Sequence, residues 1–327
     1  MHRLLRTLRA TARTTTTAAG LSLTATPGPA AAAACALSST VLRRAASTAA
    51  SRRLRGKTVL ITGASSGIGR STALEFARAA GQDGEGDLRL VLAARRLGLV
   101  EELAGEIESQ FGGSGSGKGG GVKALPVRLD VGDAEAVKGF VGGLPEEWRD
   151  IDVLVNNAGL VRGVARAPDI DPEDMAVMLG TNVTGLVNVT QAVLPIFLAR
   201  PEGGRGDIIN VGSIAAREAY PGGSIYCASK AAVRSFTETL RKELITSRIR
   251  VMEVDPGQVE TEFSVVRFYG DKAKADAVYA GCEPLTPDDI AEVVVFNATR
   301  RENVVVADTL VFPNHQASAT IMHRKQT

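Results

Sequence analysis

The sequence predicts an α/β fold with one doubly wound, seven-stranded parallel sheet and helices on both faces. Short apolar runs alternate with helix-length periodic stretches along the body of the chain. Right-handed crossovers then place a helix over the sheet after each strand. Aromatic residues make up only 4% of the chain, so a core of Val, Leu, Ile and Ala is expected, as in a sheet buried on both faces. No linker with a shifted composition interrupts the body, which predicts a single domain.

The predicted elements follow one another as strand and helix. The predicted strands are Thr58–Thr62, Arg89–Ala93, Ala124–Leu129, Val153–Asn156, Asp207–Val211, Arg250–Asp255 and Val304–Ala307. The predicted helices are Ser71–Ala80, Val100–Gln110, Ala134–Val141, Asp174–Ala199, Cys227–Ser247 and Thr286–Ala298.

Charge and cysteine content exclude several classes of function. Nine arginines and no acidic residue lie in positions 1–55, so the remaining 29 basic and 36 acidic residues give the body a charge of −7. A body of that charge is unsuited to a nucleic-acid backbone. Cys35, Cys227 and Cys282 are too few and too scattered for a metal site or a disulfide framework. No apolar run approaches the roughly 20 residues that span a bilayer. We therefore expect a small-molecule ligand, with no metal, no membrane and no nucleic acid.

Two segments lie outside the predicted core. Residues 1–55, rich in Arg, Ala, Ser and Thr, have the composition of a disordered organellar transit peptide, with the mitochondrial matrix favoured. A plastid address and a basic tail that stays attached to a cytoplasmic protein are the alternatives. The domain is accordingly expected over 56–327. The glycine-rich stretch 112–121 is predicted to be a flexible insertion, since loop length adds little closure entropy.

A glycine-rich turn joins the first predicted strand to the first predicted helix. Gly63, Gly67 and Gly69 allow a tight turn and bring a bound pyrophosphate close to backbone N–H groups at the start of the helix. This context predicts a Rossmann-type dinucleotide site, which includes Ser65, Ser66 and Ile68 of the same turn.

The end of the second predicted strand indicates which dinucleotide binds. An NAD-selective site carries an acidic residue there for the ribose 2′-hydroxyl, whereas NADP needs a cation for its 2′-phosphate. Here the strand runs into Arg95 and Arg96. Guanidinium groups bind phosphate through two hydrogen bonds, so NADP is predicted as the cofactor. A solvated helix start is the alternative explanation for the two arginines.

Tyr226 and Lys230 lie four residues apart at the start of a predicted helix and so share one face. A nearby ammonium stabilises a phenolate, which makes the tyrosine a usable acid and base. Ser213 ends the preceding strand-like run, where its hydroxyl could orient a substrate oxygen towards Tyr226.

The motifs TGASSGIG, NNAG, TNVTG, GS and YxxxK occur together and in this order, and through them residues 56–315 resemble the short-chain dehydrogenase/reductase family. The resemblance implies that Ser213, Tyr226, Lys230 and Asn182 form a catalytic tetrad. In it, Lys230 also holds the nicotinamide ribose, and Asn182 supports a relay water. The resemblance implies further cofactor contacts at Asp130, Asn157, Ala158, Gly159, Pro256, Gly257, Val259 and Thr261.

Within the family, the stretch from Val187 to Phe263 is similar to the NADP-dependent serine and L-allo-threonine dehydrogenases, also called 3-hydroxy acid dehydrogenases. This similarity implies hydride transfer at the 3-hydroxy group of small acids such as serine, L-allo-threonine or 3-hydroxyisobutyrate, and a homotetramer. Arg267, in the segment that covers the substrate in the family, is a candidate anchor for the acid. A surface or interface role for Arg267 is the alternative. The competing functions are a 3-oxoacyl-carrier-protein reductase and an NADP-binding protein without turnover.

Overall fold

The computed structural model describes residues 49–81, 87–113 and 121–325, which belong to one compact unit. The predicted leader up to residue 48 and residues 114–120 of the predicted glycine-rich insertion lie outside the described residues.

A single sheet of seven parallel strands forms the centre of the protein, in the order β3-β2-β1-β4-β5-β6-β7. The strands are β1 (Lys57–Thr62), β2 (Leu88–Ala94), β3 (Val122–Arg128), β4 (Val153–Asn156), β5 (Arg205–Val211), β6 (Arg248–Pro256) and β7 (Asp308–Val311). The chain winds outwards in one direction from β1 to β3 and in the other from β4 to β7. The reversal between β1 and β4 opens a crevice at the carboxyl ends of the strands, where ligands of such folds bind.

Helices cover both faces of the sheet, as the sequence predicted. They are α1 (Gly67–Gly81), α2 (Leu97–Phe111), α3 (Ala134–Gly143), α4 (Pro172–Leu179), α5 (Leu186–Leu198), α6 (Ser224–Glu243), α7 (Phe263–Arg267), α8 (Lys272–Tyr279) and α9 (Pro287–Ala298). Residues of α1, α2 and α9 form one buried apolar cluster with the sheet, and residues of α3, α5 and α6 form a second. The doubly wound architecture is thereby confirmed.

The last strand differs from the prediction. The valine-rich run Val304–Ala307 was expected to be β7, but the strand is Asp308–Val311 and pairs with the end of β6 from Glu253 to Pro256. The carbonyl of Val304 instead accepts a hydrogen bond of 2.9 Å from Arg250 Nη1, and the carbonyl of Ala307 accepts one from Arg241 Nη2. A side-chain donor thus satisfies the Val304 carbonyl, whereas the Ala307 carbonyl also accepts the Glu253 amide at 3.1 Å. Pairing with β6 therefore begins at the end of the valine run, despite the β-propensity of the valines.

The prediction of one continuous helix over Asp174–Ala199 is wrong. A π-helical turn, Gly180–Gly185, divides it into α4 and α5. Pro172–Leu198 is nevertheless apolar and long enough to cross a membrane by composition, with 39% of its most apolar window buried. Val189, Val193 and Phe197 of α5 pack into the core against one face of the sheet. We therefore interpret this span as part of the helical layer of the domain. The short helices α7 and α8 were not predicted.

The boundary of the domain lies earlier than the predicted position between residues 55 and 56. Residues 49–54 are helical, and Leu54 is completely buried in the cluster that contains α1 and α9. Ser51 Oγ donates to the carbonyl of Ala80 at 3.2 Å, and Arg53 Nη1 donates to that of Thr299 at 2.6 Å. The end of the segment predicted to be a leader is therefore part of the packed body.

Candidate active site

The glycine-rich turn between β1 and α1 borders a cavity of about 840 Å³ at the carboxyl edge of the sheet. Gly63 has a positive φ of 68°, a conformation that favours glycine, and a Cβ there would meet the Cα of Ala158 at 2.9 Å. Because Gly63 has no Cβ, the backbone that follows β4 packs directly against the turn, and the turn stays open to the cavity.

Two asparagines hold the turn and the neighbouring strand ends together. Asn157 Nδ2 donates to the carbonyl of Thr62 at 2.9 Å, and the Asn157 amide donates to Thr62 Oγ1 at 3.1 Å. Asn156 Nδ2 donates to Thr190 Oγ1 and to Asn210 Oδ1, which ties β4 to α5 and β5. These bonds keep the β1 and β4 ends at a fixed separation beside the cavity.

Arg95 and Arg96 line the cavity at the end of β2, and both are exposed. Arg96 Nη2 donates to Ser66 Oγ at 2.7 Å and to Ser65 Oγ at 3.1 Å, so its guanidinium lies over the glycine-rich turn. No acidic side chain ends β2. Two guanidinium groups and two serine hydroxyls beside a turn that a Cβ would obstruct fit a dinucleotide with a 2′-phosphate.

Tyr226 and Lys230 lie in the first turns of α6, and Ser213 follows β5. All three are buried and line the same cavity. Burial raises the pKa of the Tyr226 phenol above its ordinary value, and a hydrogen bond with Ser213 opposes part of this rise. Tyr226 is therefore protonated at neutral pH and depends on neighbouring charge to act as a base.

Lys230 supplies that charge. Its Nζ lies 6.0 Å from the centroid of the Tyr226 ring and donates to the carbonyl of Val211 at 2.9 Å. Burial lowers the pKa of Lys230 to about 8, and the negative charges of Asp255 and Glu253 oppose the shift. The ammonium is therefore retained at neutral pH, with help chiefly from the carboxylate of Asp255.

Asn182 lies behind the cavity, in the π-helical turn, and is 1% exposed. Its Nδ2 donates to the carbonyl of Leu160 at 2.8 Å, and its Oδ1 accepts from the Leu160 amide at 2.8 Å. A Cβ on Gly159 would lie 3.4 Å from Asn182 Oδ1 and 3.6 Å from Lys230 Nζ. Asn182 thus positions the backbone that separates it from Lys230.

A buried charge network beneath Ser213 was not predicted from the sequence. Asp255 is completely buried, accepts the Ser213 amide at 2.9 Å and pairs with Arg217 at 2.7 Å. Arg234 extends the network to Asp255 and to Asp308 on β7. The network fixes the backbone that carries the Ser213 hydroxyl.

Glu253 lies next to Asp255, and a Cβ on Gly212 would collide with the carboxyl groups of both residues. Burial, together with the charge and hydrogen bonding of Asp255, raises the pKa of Glu253 to about 8. Two carboxyl groups this close cannot both ionise at low cost. We therefore conclude that Glu253 stays protonated at neutral pH and donates a hydrogen bond to the carboxylate of Asp255.

Arg267, the predicted substrate anchor, lies at the end of α7 and lines the same cavity. Its guanidinium stacks over Tyr220 at 5.5 Å from the ring centroid, and Nη2 donates to the Tyr220 hydroxyl at 3.4 Å. Nε is buried and has no hydrogen-bond partner among the residues that the structure describes. The positive charge of Arg267 also lowers the pKa of Tyr226, which places it within electrostatic reach of the candidate acid and base.

The cavity gathers nearly all the predicted site residues. Those that line it are Gly63, Ser65, Ser66, Gly67, Ile68, Arg95, Arg96, Asp130, Asn157, Ala158, Gly159, Ser213, Tyr226, Lys230, Pro256, Gly257, Val259, Thr261 and Arg267. Gly69, inside α1, and Asn182 lie behind its wall. The wall also includes Tyr220, Glu262, Gln316 and Arg324, which the sequence analysis missed because they belong to no motif and meet only through the fold.

Comparison with known proteins gives consistent matches. Residues 57–269 match the family model described as short chain dehydrogenase. The chain is 56% identical to the NADP-dependent 3-hydroxy acid dehydrogenase of Schizosaccharomyces pombe, over 84% of this chain and 99% of that protein. It is 41% identical to sulfoacetaldehyde reductase 2 of Chromohalobacter salexigens, over 79% and 95% of the two chains. Among solved structures, the closed form of serine dehydrogenase complexed with NADP+ matches with a TM-score of 0.70 and 36% identity, covering 82% and 100% of the two chains.

The raised pKa of Glu253 predicts how stability depends on pH. Between the ordinary carboxyl pKa and about 8, the folded protein binds one more proton at Glu253 than the unfolded chain does, so this group's contribution to stability falls as the pH rises through that interval. Glu253→Gln cannot titrate. Its melting temperature relative to wild type should therefore increase between pH 5 and pH 8, by on the order of 10 °C, since one pKa unit corresponds to about 1.4 kcal/mol and 1 kcal/mol to about 2–4 °C.

Thermal unfolding followed by circular dichroism across this pH range measures the difference. Glu243→Gln on the exposed end of α6 is the matched control and should show a constant offset from wild type. A constant offset for Glu253→Gln as well would contradict the proton assigned to Glu253.

Proposed function

The chain belongs to the short-chain dehydrogenase family, and we propose that it exchanges a hydride between NADP and the 3-hydroxy or 3-oxo group of small 3-hydroxy acids. It is an NADP-dependent oxidoreductase that acts on CH–OH groups. The observation that carries the proposed substrate class is the position of Arg267, whose guanidinium shares one cavity with Tyr226 and Ser213.

Bound NADP supplies the hydride acceptor for oxidation, and NADPH the donor for reduction. The glycine-rich turn would hold its pyrophosphate, Arg95 and Arg96 its 2′-phosphate, and Lys230 its nicotinamide ribose. The acidic residue that would select NAD is absent from the end of β2. NADP-complexed serine dehydrogenase is among the similar structures, which supports the same cofactor.

The chain's own groups handle the proton and the orientation of the substrate. In oxidation the phenolate of Tyr226 removes the hydroxyl proton, and in reduction the phenol returns a proton to the carbonyl oxygen. The Lys230 ammonium stabilises the phenolate, because it lies 6.0 Å from the ring in a buried, weakly screened site. The Ser213 hydroxyl donates to the same substrate oxygen and fixes its direction.

An acidic group is the second part of the substrate that we propose the protein binds, besides the reacting oxygen. The buried Nε of Arg267 has no protein partner among the described residues, and a carboxylate accepts two hydrogen bonds from a guanidinium. The similar proteins act, by their names, on 3-hydroxy acids, serine and sulfoacetaldehyde, and each of these compounds carries an acidic group. Arg267 would hold that group while Tyr226 and Ser213 hold the reacting oxygen.

Absorbance at 340 nm tests the proposal. Purified residues 49–327 are assayed with NADP or NAD and with L-serine, L-allo-threonine, 3-hydroxyisobutyrate and 3-hydroxypropionate. We expect turnover with NADP and hydroxy acids, and a loss of at least 100-fold in Tyr226→Phe, because the general acid and base is removed. Reduction of acetoacetyl thioesters without turnover of any hydroxy acid would instead indicate a 3-oxoacyl-carrier-protein reductase. Binding of NADP with no turnover of either class would indicate a non-catalytic protein.

Arg267→Ala separates the anchor from the chemistry in the same assay. The KM for hydroxy acids should rise about 10- to 100-fold, as expected for a lost charge-assisted hydrogen bond, while uncharged secondary alcohols keep their kcat/KM. Arg267→Lys, which keeps the charge but not the fork, should recover part of the loss. Equal losses for acids and for alcohols would rule out the anchor.

We also propose a homotetramer. Apolar side chains on the outer face of α4 and α5 are exposed, among them Met175, Leu179 and Leu198, the last at 47%. A second copy of the chain would cover this face. Light scattering coupled to size exclusion should give a tetramer for wild type and smaller species for Leu198→Glu, with Leu99→Glu on α2 as the unaffected control. A wild-type monomer would refute the proposal.

For the leader we propose import into the mitochondrial matrix, with plastids as the other organelle. The arginine-rich, acid-free composition up to residue 48 supports it, whereas residues 49–54 pack into the body through Leu54. Residues 1–48 fused to a fluorescent protein should direct it to mitochondria, and the same protein fused to residues 49–327 should remain diffuse. A diffuse signal from both fusions would contradict the proposed import into an organelle.

A further inference from the structure

We propose that Glu262 reduces the preference for NADP over NAD by competing with the 2′-phosphate of NADP for Arg96, and that this competition links cofactor binding to the position of α7. Glu262 belongs to no motif of the sequence analysis. Its placement beside Arg96 follows from the fold, because 166 residues separate the two along the chain.

Arg96 joins two parts of the cavity wall. Its Nε and Nη2 donate to Ser65 Oγ at 3.2 and 3.1 Å, and Nη2 donates to Ser66 Oγ at 2.7 Å. The same Nη2 lies 3.0 Å from Glu262 Oε2, immediately before α7. One guanidinium therefore holds both the glycine-rich turn and the segment that leads into the helix of Arg267.

The ion pair is suited to displacement. The side chains of Arg96 and Glu262 are 49% and 59% exposed, so water screens their attraction and their exchange is cheap. A phosphate dianion interacts with a guanidinium more strongly than a carboxylate does, and the two anions repel each other. NAD, which lacks the phosphate, leaves the Arg96–Glu262 pair in place. Glu262 thus lowers the affinity for the phosphorylated cofactor and makes its binding conditional on release of α7.

The ends of α7 show what would be released. The amide of Val266 donates to the carbonyl of Glu262 at 3.0 Å, so the first turn of α7 continues directly from the paired residue. At the other end, the carbonyl of Arg267 accepts the amide of Gly163 at 2.9 Å. Loss of the pair with Arg96 removes the charged attachment at the start of α7, where the Ser264–Tyr279 hydrogen bond and the contact between the Phe263 and Tyr226 rings remain. The coupling concerns the same helix that carries the proposed anchor Arg267, but the competition for Arg96 does not depend on that anchor.

Calorimetric titration with NADP, NAD and 2′,5′-ADP tests the competition without any turnover. In Glu262→Gln the dissociation constants of NADP and 2′,5′-ADP should fall about three- to tenfold, and that of NAD should stay within twofold. Glu260→Gln is the matched control, because it removes the same charge only two residues from Glu262. The Glu260 side chain is exposed and makes no hydrogen bond to Arg96 in the described structure. The gain should shrink at high salt, since the competing charges are exposed.

A double-mutant cycle assigns the effect to the pair. In an Arg96→Ala background, which itself weakens NADP binding, Glu262→Gln should change the affinity by less than twofold. Equal effects of Glu262→Gln and Glu260→Gln would overturn the proposal. So would weaker NADP binding in Glu262→Gln, which would make Glu262 a residue that retains the cofactor.

Hydrogen exchange tests the link to α7. Addition of 2′,5′-ADP should increase exchange in a peptide that covers residues 263–268, whereas 5′-AMP should not, and Glu262→Gln should show the raised exchange without ligand. Unchanged exchange with both nucleotides would refute the link. Because neither experiment uses a substrate, a failure here is distinguishable from a wrong substrate class, which only the activity panel reports.

Discussion

The buried carboxylate of Asp255 is the interaction on which the rest of the candidate active site depends. It lies one residue before the end of β6 with no exposure to solvent, and it accepts the Ser213 amide while it pairs with Arg217 and Arg234. A charge in such a site is tolerated only when ion pairs and hydrogen bonds satisfy it. Its partners come from the turn after β5 and from α6, so satisfying Asp255 fixes those two elements, which carry Ser213 and Tyr226.

The same carboxylate sets the electrostatics of the acid and base. Burial works against the charge of Lys230, and the negative charge of Asp255 is the largest influence that opposes it. Glu253 adds to this influence only as far as it ionises, and its pKa of about 8 keeps it largely protonated at neutral pH. The Lys230 charge that can stabilise a Tyr226 phenolate is therefore maintained by a buried carboxylate that does not line the cavity.

The two ends of the cavity are connected through one short segment. The residues that follow β6 line the cavity, reach Arg96 through Glu262 and then form α7 with Arg267. Proteins often place ligand contacts in such segments, because few buried apolar contacts hold them and they can move. In this molecule the segment Thr261–Arg267 contacts Arg96 through Glu262 near its start and carries Arg267 at its end.

The sequence by itself determined the sheet, its strand alternation, the glycine-rich turn, the arginines after β2 and the Tyr226–Lys230 pair, because each is encoded in neighbouring residues with a fixed spacing. Only the tertiary structure decided the pairing of β7, the π-helical turn at Asn182 and the burial of Leu54. It also decided the Glu253–Asp255 network and the Arg96–Glu262 pair. Strand registers, desolvation and ion pairs arise between residues far apart in the chain, and no local pattern records how far burial will shift a charge or which partner will satisfy it.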